Sequence, residues 1–374
     1  YDPAGNKVSM TFTYPTPTTI DTFYTDADGQ LVTPEKLDYE KGYSLVEVQA
    51  PYGYVLDSTP VSFDVTEENS TQEGGITLIK VDKPNMAQKG TISVEKTGEV
   101  FFGVNVSGEE DKDVIYQPVY KVKGLAGAVY EITADEDVIT PDGTLRYHKG
   151  DVVDTVTTDE DGTAKSKELY LGKYTVVETK APTGMVINKE KHSVELTYAG
   201  QDVTVTETAT SFVNERQKVK ISIEKILEQD ETFGIGKNDE IKNISFGLYA
   251  KEDVVSSSGT VIPADGLIEI ITLDENGAAT ANTDLPFGSY YIKEITTDKH
   301  YILSDTQYPF TFKYAGQDTE TVEIKVNDGK PIENKLIYGS VSGKKIDENG
   351  EALGGALIGI FKADETEFTK EHAI

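Results

Sequence analysis

The stretch Asn214-Glu215-Arg216-Gln217-Lys218-Val219-Lys220-Ile221-Ser222-Ile223-Glu224-Lys225 decides how this chain reads. Ile221 and Ile223 alternate with polar neighbours, the period-two pattern of a half-buried strand. Residues two apart on a strand point the same way, so Lys225 continues the apolar face and is aimed at a core. The same text occurs earlier, at Asn85-Met86-Ala87-Gln88-Lys89-Gly90-Thr91-Ile92-Ser93-Val94-Glu95-Lys96. Both copies read Asn-x-x-Gln-Lys-x-x-Ile-Ser-[Val/Ile]-Glu-Lys. A weaker third copy runs from Asn334 to Lys345, and the Asn-to-Lys offset is 11 in all three. Each Asn is read as closing one domain and each Lys as opening the next.

Working outward, three segments carry Tyr, three residues, then Glu: Tyr43 to Glu47, Tyr174 to Glu178 and Tyr290 to Glu294. Each Glu follows a turn glycine (Gly29, Gly162, Gly277) by 18, 16 and 17 residues, and precedes its Asn by 38, 36 and 40. The glycines end the clusters Asp26-Ala27-Asp28-Gly29, Asp159-Glu160-Asp161-Gly162 and Asp274-Glu275-Asn276-Gly277, with Asp347-Glu348-Asn349-Gly350 as a fourth. Such clusters between strands predict tight hairpins. A further echo joins Leu125-Ala126-Gly127-Ala128, Ile244-Ser245-Phe246-Gly247 and Leu353-Gly354-Gly355-Ala356, at 29, 19 and 8 residues from the opening Lys. The changing distance predicts a variable, solvent-facing loop after the first strand.

These recurrences divide the chain into residues 1–90, a domain lacking its first strands, complete domains at 91–217 and 218–337, and the N-terminal piece of another at 338–374. The last repeat reaches Ile374 before any Tyr-x-x-x-Glu, so the chain reads as part of a longer tandem array.

Composition agrees. At 374 residues, two to four domains are expected. With 35 basic against 65 acidic side chains the net charge is -30, which repels a phosphate backbone and excludes nucleic acid as a partner. Without cysteine there are no disulfides, thiolate nucleophiles or Cys-type zinc sites. No apolar stretch approaches the roughly 18 residues of a membrane span. The 21 Tyr and 13 Phe, with abundant Val, Ile and Thr, favour strands. The expected fold is all-β, as tandem antiparallel β-sandwiches of prealbumin-like or Ig-like type.

Lys96, Glu178 and Asn214 all continue apolar faces, as do Lys225, Glu294 and Asn334. An isolated buried charge costs many kcal/mol, so such groups pair, shift their pKa or react. One reading is an ion pair with an amide hydrogen bond, or a lysine snorkelling outward. The other is covalent. A lysine in an apolar core tends to lose its proton and becomes an amine nucleophile, while a buried Glu tends to gain one and can relay protons. Attack on the Asn carboxamide then expels ammonia and leaves an amide.

The arrangement resembles the CnaB-type (SpaA-like) domains of Gram-positive pilins and surface adhesins, which have a prealbumin-like fold. The match is carried by Glu178-Thr179-Lys180-Ala181-Pro182-Thr183-Gly184, similar to that family's Glu box ending in Ala-Pro-x-Gly. Glu47-Val48-Gln49-Ala50-Pro51-Tyr52-Gly53, Leu125-Ala126-Gly127-Ala128 and Lys345-Ile346-Asp347 are similar to it as well. The resemblance implies Lys96 joined to Asn214 with Glu178 as catalyst, and Lys225 joined to Asn334 with Glu294. Glu294 departs from the pattern, being followed by Ile295-Thr296-Thr297-Asp298-Lys299-His300. Glu47 and Asn85 have no opening Lys in the sequence, Pro84 makes that strand irregular, and Asp82 is an alternative acceptor. Lys345 has no partner Asn after it. No completed bond is expected at either end.

The resemblance further implies a structural stalk segment on a Gram-positive cell, extracellular and attached to the cell wall. Its cross-linking would be a single turnover and not enzymatic catalysis. An adhesin domain gripping a host matrix protein or glycan is the alternative. Candidate partners are other pilin or adhesin domains, with host matrix or glycans engaged through regions outside this stretch. No cofactor or metal is expected. The acidic turns lack the further ligands of a calcium loop, and His148, His192, His300 and His372 form no metal-ligand pair. Asn69, Asn105 and Asn243 fit glycosylation sequons, which mean little if the source is bacterial.

Overall fold

The computed structural model describes residues 1–13, 16–39, 42–66, 71–73, 76–108 and 114–374, with backbone alone for 71–73 and 76–78. The sequon at Asn69 lies outside the described residues. Among the described residues every regular element is a strand, apart from short 3-10 turns at Glu240–Asn243 and Val326–Gly329. The chain forms two compact units: Tyr1–Lys96 with Ala126–Lys180 and Lys189–Phe212, and Thr97–Leu125 with Ala181–Asn188 and Val213–Ile374.

In the first unit an antiparallel sheet runs Val152–Thr157, Val129–Ala134, Gly172–Lys180, Lys191–Leu196. Opposite it lies the start of the Lys89–Ser107 strand, paired with Thr163–Lys165, Leu169–Tyr170 and Val205–Asn214. Alternate residues of both layers meet between them. Ile92 and Val94 from one side, and Tyr130, Ile132, Tyr174 and Val176 from the other, are buried together with Phe212. The same unit holds the short pair Tyr43–Leu45 and Val61–Phe63, with Tyr43 stacked on Phe63.

The second unit repeats the scheme. Its sheet runs Leu267–Thr272, Ser245–Ala250, Gly288–Thr296, Gln307–Phe312. Across the core, Lys218–Leu227 pairs antiparallel with Ala278–Thr280 and parallel with Thr321–Lys325 and Ile332–Asn334. Ile221, Ile223, Phe246, Leu248, Tyr290 and Ile292 fill the interior. A buried tyrosine needs a partner for its hydroxyl. Tyr290 donates to the Pro286 carbonyl at 2.7 Å and Tyr174 to the Tyr170 carbonyl at 2.5 Å, four residues back in both copies.

The acidic clusters are turns. One oxygen of Asp159 accepts from the backbone N–H of Asp161 and Thr163, and Asp26, Asp274 and Asp347 do the same at identical offsets. That use of the carboxylate explains the Asp at each turn without a cation. Among the described residues no cluster could hold a metal ion.

One expectation is corrected. The segment after Lys96 is not a solvent-facing loop. It is a hairpin in which the distal part of Lys89–Ser107 pairs with Ile115–Gly124, and its Phe101, Val104 and Tyr116 pack on the core of the second unit. Those side chains supply the apolar face that a free loop would lack. Residues 338–374 form no extended strand. They carry the Ile346 to Ala352 bridge, and Leu357 is 95% exposed.

Candidate cross-linking sites

Lys225 is held from both sides. Its backbone N–H donates to the Gly277 carbonyl at 2.7 Å, so the Asn-Gly turn grips the strand at the lysine itself. Gly277 has φ +79° and lies against the Lys225 carbonyl, a position without room for a Cβ. Lys96 repeats this, its N–H donating to Gly162 at 2.7 Å. In both copies the turn predicted from sequence also holds the lysine on the strand paired with it, a link that the spacing alone did not reveal.

The Lys225 side chain is completely buried. Its Nζ lies 3.9 Å from Glu294 Oε1 and donates to the Ile226 and Ile332 carbonyls at 3.2 Å each. Burial pushes the ammonium down to about 8, opposed by the nearby Glu294 and Glu333 charges. Asn334 sits on the adjacent parallel strand, in register with Leu227 and on the same face as Ile332. Its Nδ2 donates to Glu294 Oε1 at 2.8 Å and Oε2 at 3.0 Å, and reaches Thr297 Oγ1 at 2.8 Å. Its Oδ1 is buried with no hydrogen-bond partner. Glu294 Oε2 also accepts the backbone N–H of Ser304 at 3.0 Å. Lysine, carboxylate and carboxamide therefore share one water-excluded pocket.

In the first unit, Lys96 Nζ is 3.1 Å from Glu178 Oε1 and both side chains are fully buried. The ammonium stands 5.8 Å from the ring centroids of both Tyr130 and Phe212. Desolvation lowers the Lys96 pKa and Glu178 opposes it. Asn214, two residues beyond Phe212, is 2% exposed and ends its strand. Gly98 follows Lys96 by two residues. A Cβ there would stand 2.7 Å from the Asn214 carbonyl oxygen, so the strand carrying Lys96 passes directly beside Asn214.

Glu47 and Asn85 are also together. Asn85 Nδ2 donates to Glu47 Oε2 at 2.8 Å and to the Val55 carbonyl at 3.0 Å, while Asp57 N–H donates to the same Glu47 oxygen. Asp82, the other acceptor considered, is exposed. The carboxylate-to-amide contact thus recurs at Glu47–Asn85 and Glu294–Asn334, each Glu also receiving the N–H ten residues on. Sequence reading missed Asp57, Ser304 and Thr297; the first two act through backbone N–H groups, which leave no signature in residue type. Lys345 is exposed, donating to the Ile346 carbonyl. No helix among the described residues is long and apolar enough to cross a membrane.

Solved structures resembling the chain include the Bacillus anthracis TIE protein, 20% identical, covering 72% of this chain and 41% of that one at a TM-score of 0.40. The chain thus spans about two fifths of that protein's length. The minor pilin GBS52 of Streptococcus agalactiae is 15% identical, with 68% and 100% covered and a TM-score of 0.24. The shaft pilin SpaA of Lactobacillus rhamnosus GG is 12% identical, with 68% and 100% covered and a TM-score of 0.23. No curated protein matches. The SpaA family of prealbumin-like fold domains matches residues 4–80, 119–210 and 231–330, three successive copies over most of the length, and the chain belongs to that family.

Proposed function

We propose that this chain is a stalk segment of a Gram-positive cell-surface pilin or adhesin, extracellular and attached to the cell wall, whose repeats cross-link themselves. The carrying observation is the shared burial of Lys225, Glu294 and Asn334 with Glu294 in contact with both partners. Glu294 takes a proton from the Lys225 ammonium, and the neutral amine attacks Asn334 Cγ. The protonated Glu294 hydrogen-bonds the carboxamide, gives its proton to the departing nitrogen and takes the second proton from the attacking nitrogen, so it ends protonated. One C–N bond forms, one breaks, and ammonia leaves. Each set acts once, so nothing is turned over.

The same chemistry is assigned to Lys96 and Asn214 with Glu178. The 3.1 Å contact between Lys96 and Glu178 and the close passage of Gly98 by Asn214 support it. Glu47 and Asn85 are the carboxylate and acceptor of a further set, and Lys345 is the lysine of another.

The bonds suit a load-bearing element. Lys218–Leu227 and Ile332–Asn334 are parallel neighbours, so a pull on the ends of this repeat shears them past each other. An amide between Lys225 and Asn334 spans that shear plane. In loop-entropy terms, closing more than a hundred residues contributes a little under about 5 kcal/mol, and unlike a disulfide the bond cannot be reduced.

The test is intact mass. The parent chain should weigh two ammonias, about 34 Da, less than its sequence mass. Lys96→Ala and Lys225→Ala should each restore one. A parent mass equal to the sequence mass would mean that these lysines are only ion-paired, and the stalk reading would lose its chemical basis.

A further inference from the structure

Gln88 and Gln217 stand between the family-matched segments, at the same place in the Asn-x-x-Gln-Lys repeat, and each is 1% exposed. A buried carboxamide needs all its hydrogen bonds. Gln88 Nε2 donates to the Gly200 and Val203 carbonyls, at 2.8 and 2.5 Å, and its Oε1 accepts the Ala199 N–H at 2.8 Å. Its backbone N–H donates to Gly53 at 2.8 Å. One residue therefore ties the Ala-Pro-x-Gly loop of the segment before it to the Tyr198-Ala199-Gly200-Gln201-Asp202 loop of the segment after it.

The second loop answers directly. Gln201 Oε1 accepts the Ala50 N–H at 2.8 Å, the Gln201 carbonyl accepts the Leu56 N–H at 2.9 Å, and Tyr198 packs on Tyr52 with ring centroids 4.6 Å apart.

The other compact unit holds a second copy, bond for bond. Gln217 Nε2 donates to Gly316 and Thr319 at 3.1 and 2.7 Å, Oε1 accepts Ala315 N–H at 2.8 Å, and its own N–H donates to Gly184 at 2.9 Å. Gln317 Oε1 accepts the Ala181 N–H at 2.9 Å and its carbonyl the Ile187 N–H at 2.9 Å. The loop sequence is again Tyr314-Ala315-Gly316-Gln317-Asp318, and Gly200 and Gly316 share φ near +98°. Two independent occurrences of one geometry, built from the same five-residue text, mark a designed contact.

We infer that the Tyr-Ala-Gly-Gln-Asp loop is a docking surface whose partner is the Ala-Pro-x-Gly loop of the preceding repeat, and that Gln88 and Gln217 are the keys that lock it. Successive repeats are then joined by a stiff connection. Hinged motion is the ordinary expectation for a small polar junction. After the third segment the backbone half of the lock persists, with Ile337 N–H donating to His300 at 2.9 Å. The key is missing there, since Ile337 replaces the glutamine and is 60% exposed. The array is locked at two junctions and unlocked at that one. None of this depends on whether the lysines form amides.

The absence of native cysteine allows nitroxide labels at Thr59→Cys and Asp161→Cys, exposed positions on either side of the first junction. Electron–electron resonance should give one narrow distance distribution in the parent chain. Gln88→Ala should widen it about twofold or more, and the milder Gln201→Ala, which leaves the backbone bonds intact, should widen it less. A distribution already broad in the parent, or equally narrow in both variants, would overturn the inference. Intact mass of Gln88→Ala and Gln201→Ala without the labels keeps the two questions apart, because these two substitutions touch neither lysine pocket and should leave the ammonia loss unchanged.

Discussion

Asn334 donates from Nδ2 to both carboxylate oxygens of Glu294, at 2.8 and 3.0 Å, while its own carbonyl oxygen is buried without a partner. In the proposed reaction a carboxamide so placed has its nitrogen, the leaving group, against the proton carrier, and its carbonyl oxygen open to accept a hydrogen bond as negative charge develops there. Replacing Glu294 by Gln keeps the shape and removes the proton relay. If the proposed bond forms, Glu294→Gln should retain the ammonia that the parent would lose at this set, a difference of about 17 Da by mass spectrometry, and should unfold at lower denaturant concentration by the several kcal/mol that a closed loop would contribute. Loss of ammonia at an unchanged rate in this variant would remove Glu294 from the reaction.

Much of this pocket is legible in the sequence. Alternation placed Lys225 beside Ile221 and Ile223, and Glu294 beside Tyr290 and Ile292, because strand geometry leaves a side chain only two directions. The tandem sandwiches followed from the same periodicity and the Asp-Gly turns. What stayed hidden is tertiary. Nothing local to Phe101, Val104 or Tyr116 says that their hairpin has an apolar surface to rest on, so the insertion read as a loop. The grip of Gly277 on Lys225 and the lock at Gln217 depend on contacts between residues 52 and 99 positions apart, to which a period of two is blind.

The depressed Lys225 pKa carries a pH signature. On the proposed route Glu294 takes the Lys225 proton and passes it to the leaving nitrogen, so the pocket must hold that proton; cross-linking after dilution from denaturant should run at a constant rate below about 8 and slow about tenfold per pH unit above it. In Asn334→Ala, where no amide can form, the same shift acts on stability. Between the folded value near 8 and the unfolded value of 10.5, the unfolded chain binds more protons at Lys225 than the native one, so stability gains from this group as pH rises through that window. Denaturant titrations at pH 7.5 and 9.5, with Lys225→Met/Asn334→Ala as the reference lacking the group, would isolate it. A difference of the opposite sign would mean that the folded state keeps Lys225 charged.

Gly98 leaves no room beside Asn214. A Cβ would lie 2.7 Å from the Asn214 carbonyl oxygen and from Leu125 Cδ1. Gly98→Val should therefore push the end of the Val205–Asn214 strand outward, at a cost of about 1–3 kcal/mol for overpacking. Misplacing the acceptor should also slow or abolish ammonia loss at Lys96, leaving the loss at Lys225 intact. Equal cross-linking at both lysines would show that Asn214 can move with its neighbour.

Arg216 anchors the hairpin through three groups. Its guanidinium lies 3.7 Å from the Tyr120 ring centroid, donates through Nη1 to Asp284 Oδ1 at 2.6 Å and through Nη2 to Asp284 Oδ2, and has Nε 3.4 Å from Glu99 Oε2. A planar, bidentate donor that also stacks has no substitute in lysine. Tyr120 adds a hydroxyl donated to the Asp284 carbonyl at 3.2 Å, and burial in this contact pushes its pKa well above 10. Removing the guanidinium leaves Glu99 facing Asp284 with the cation between them gone. Arg216→Ala should therefore raise amide hydrogen exchange across Thr97–Gly124 by about one to two orders of magnitude, in line with losing a partly buried charge-assisted pair. Arg216→Lys should recover little of that protection. Exchange in the Gly288–Thr296 strand should stay at its parent rate, since the core beneath it is built from Tyr290, Ile292 and Phe246 without the arginine. If Arg216→Ala left the hairpin as protected as before, Phe101, Val104 and Tyr116 alone would suffice to seat it.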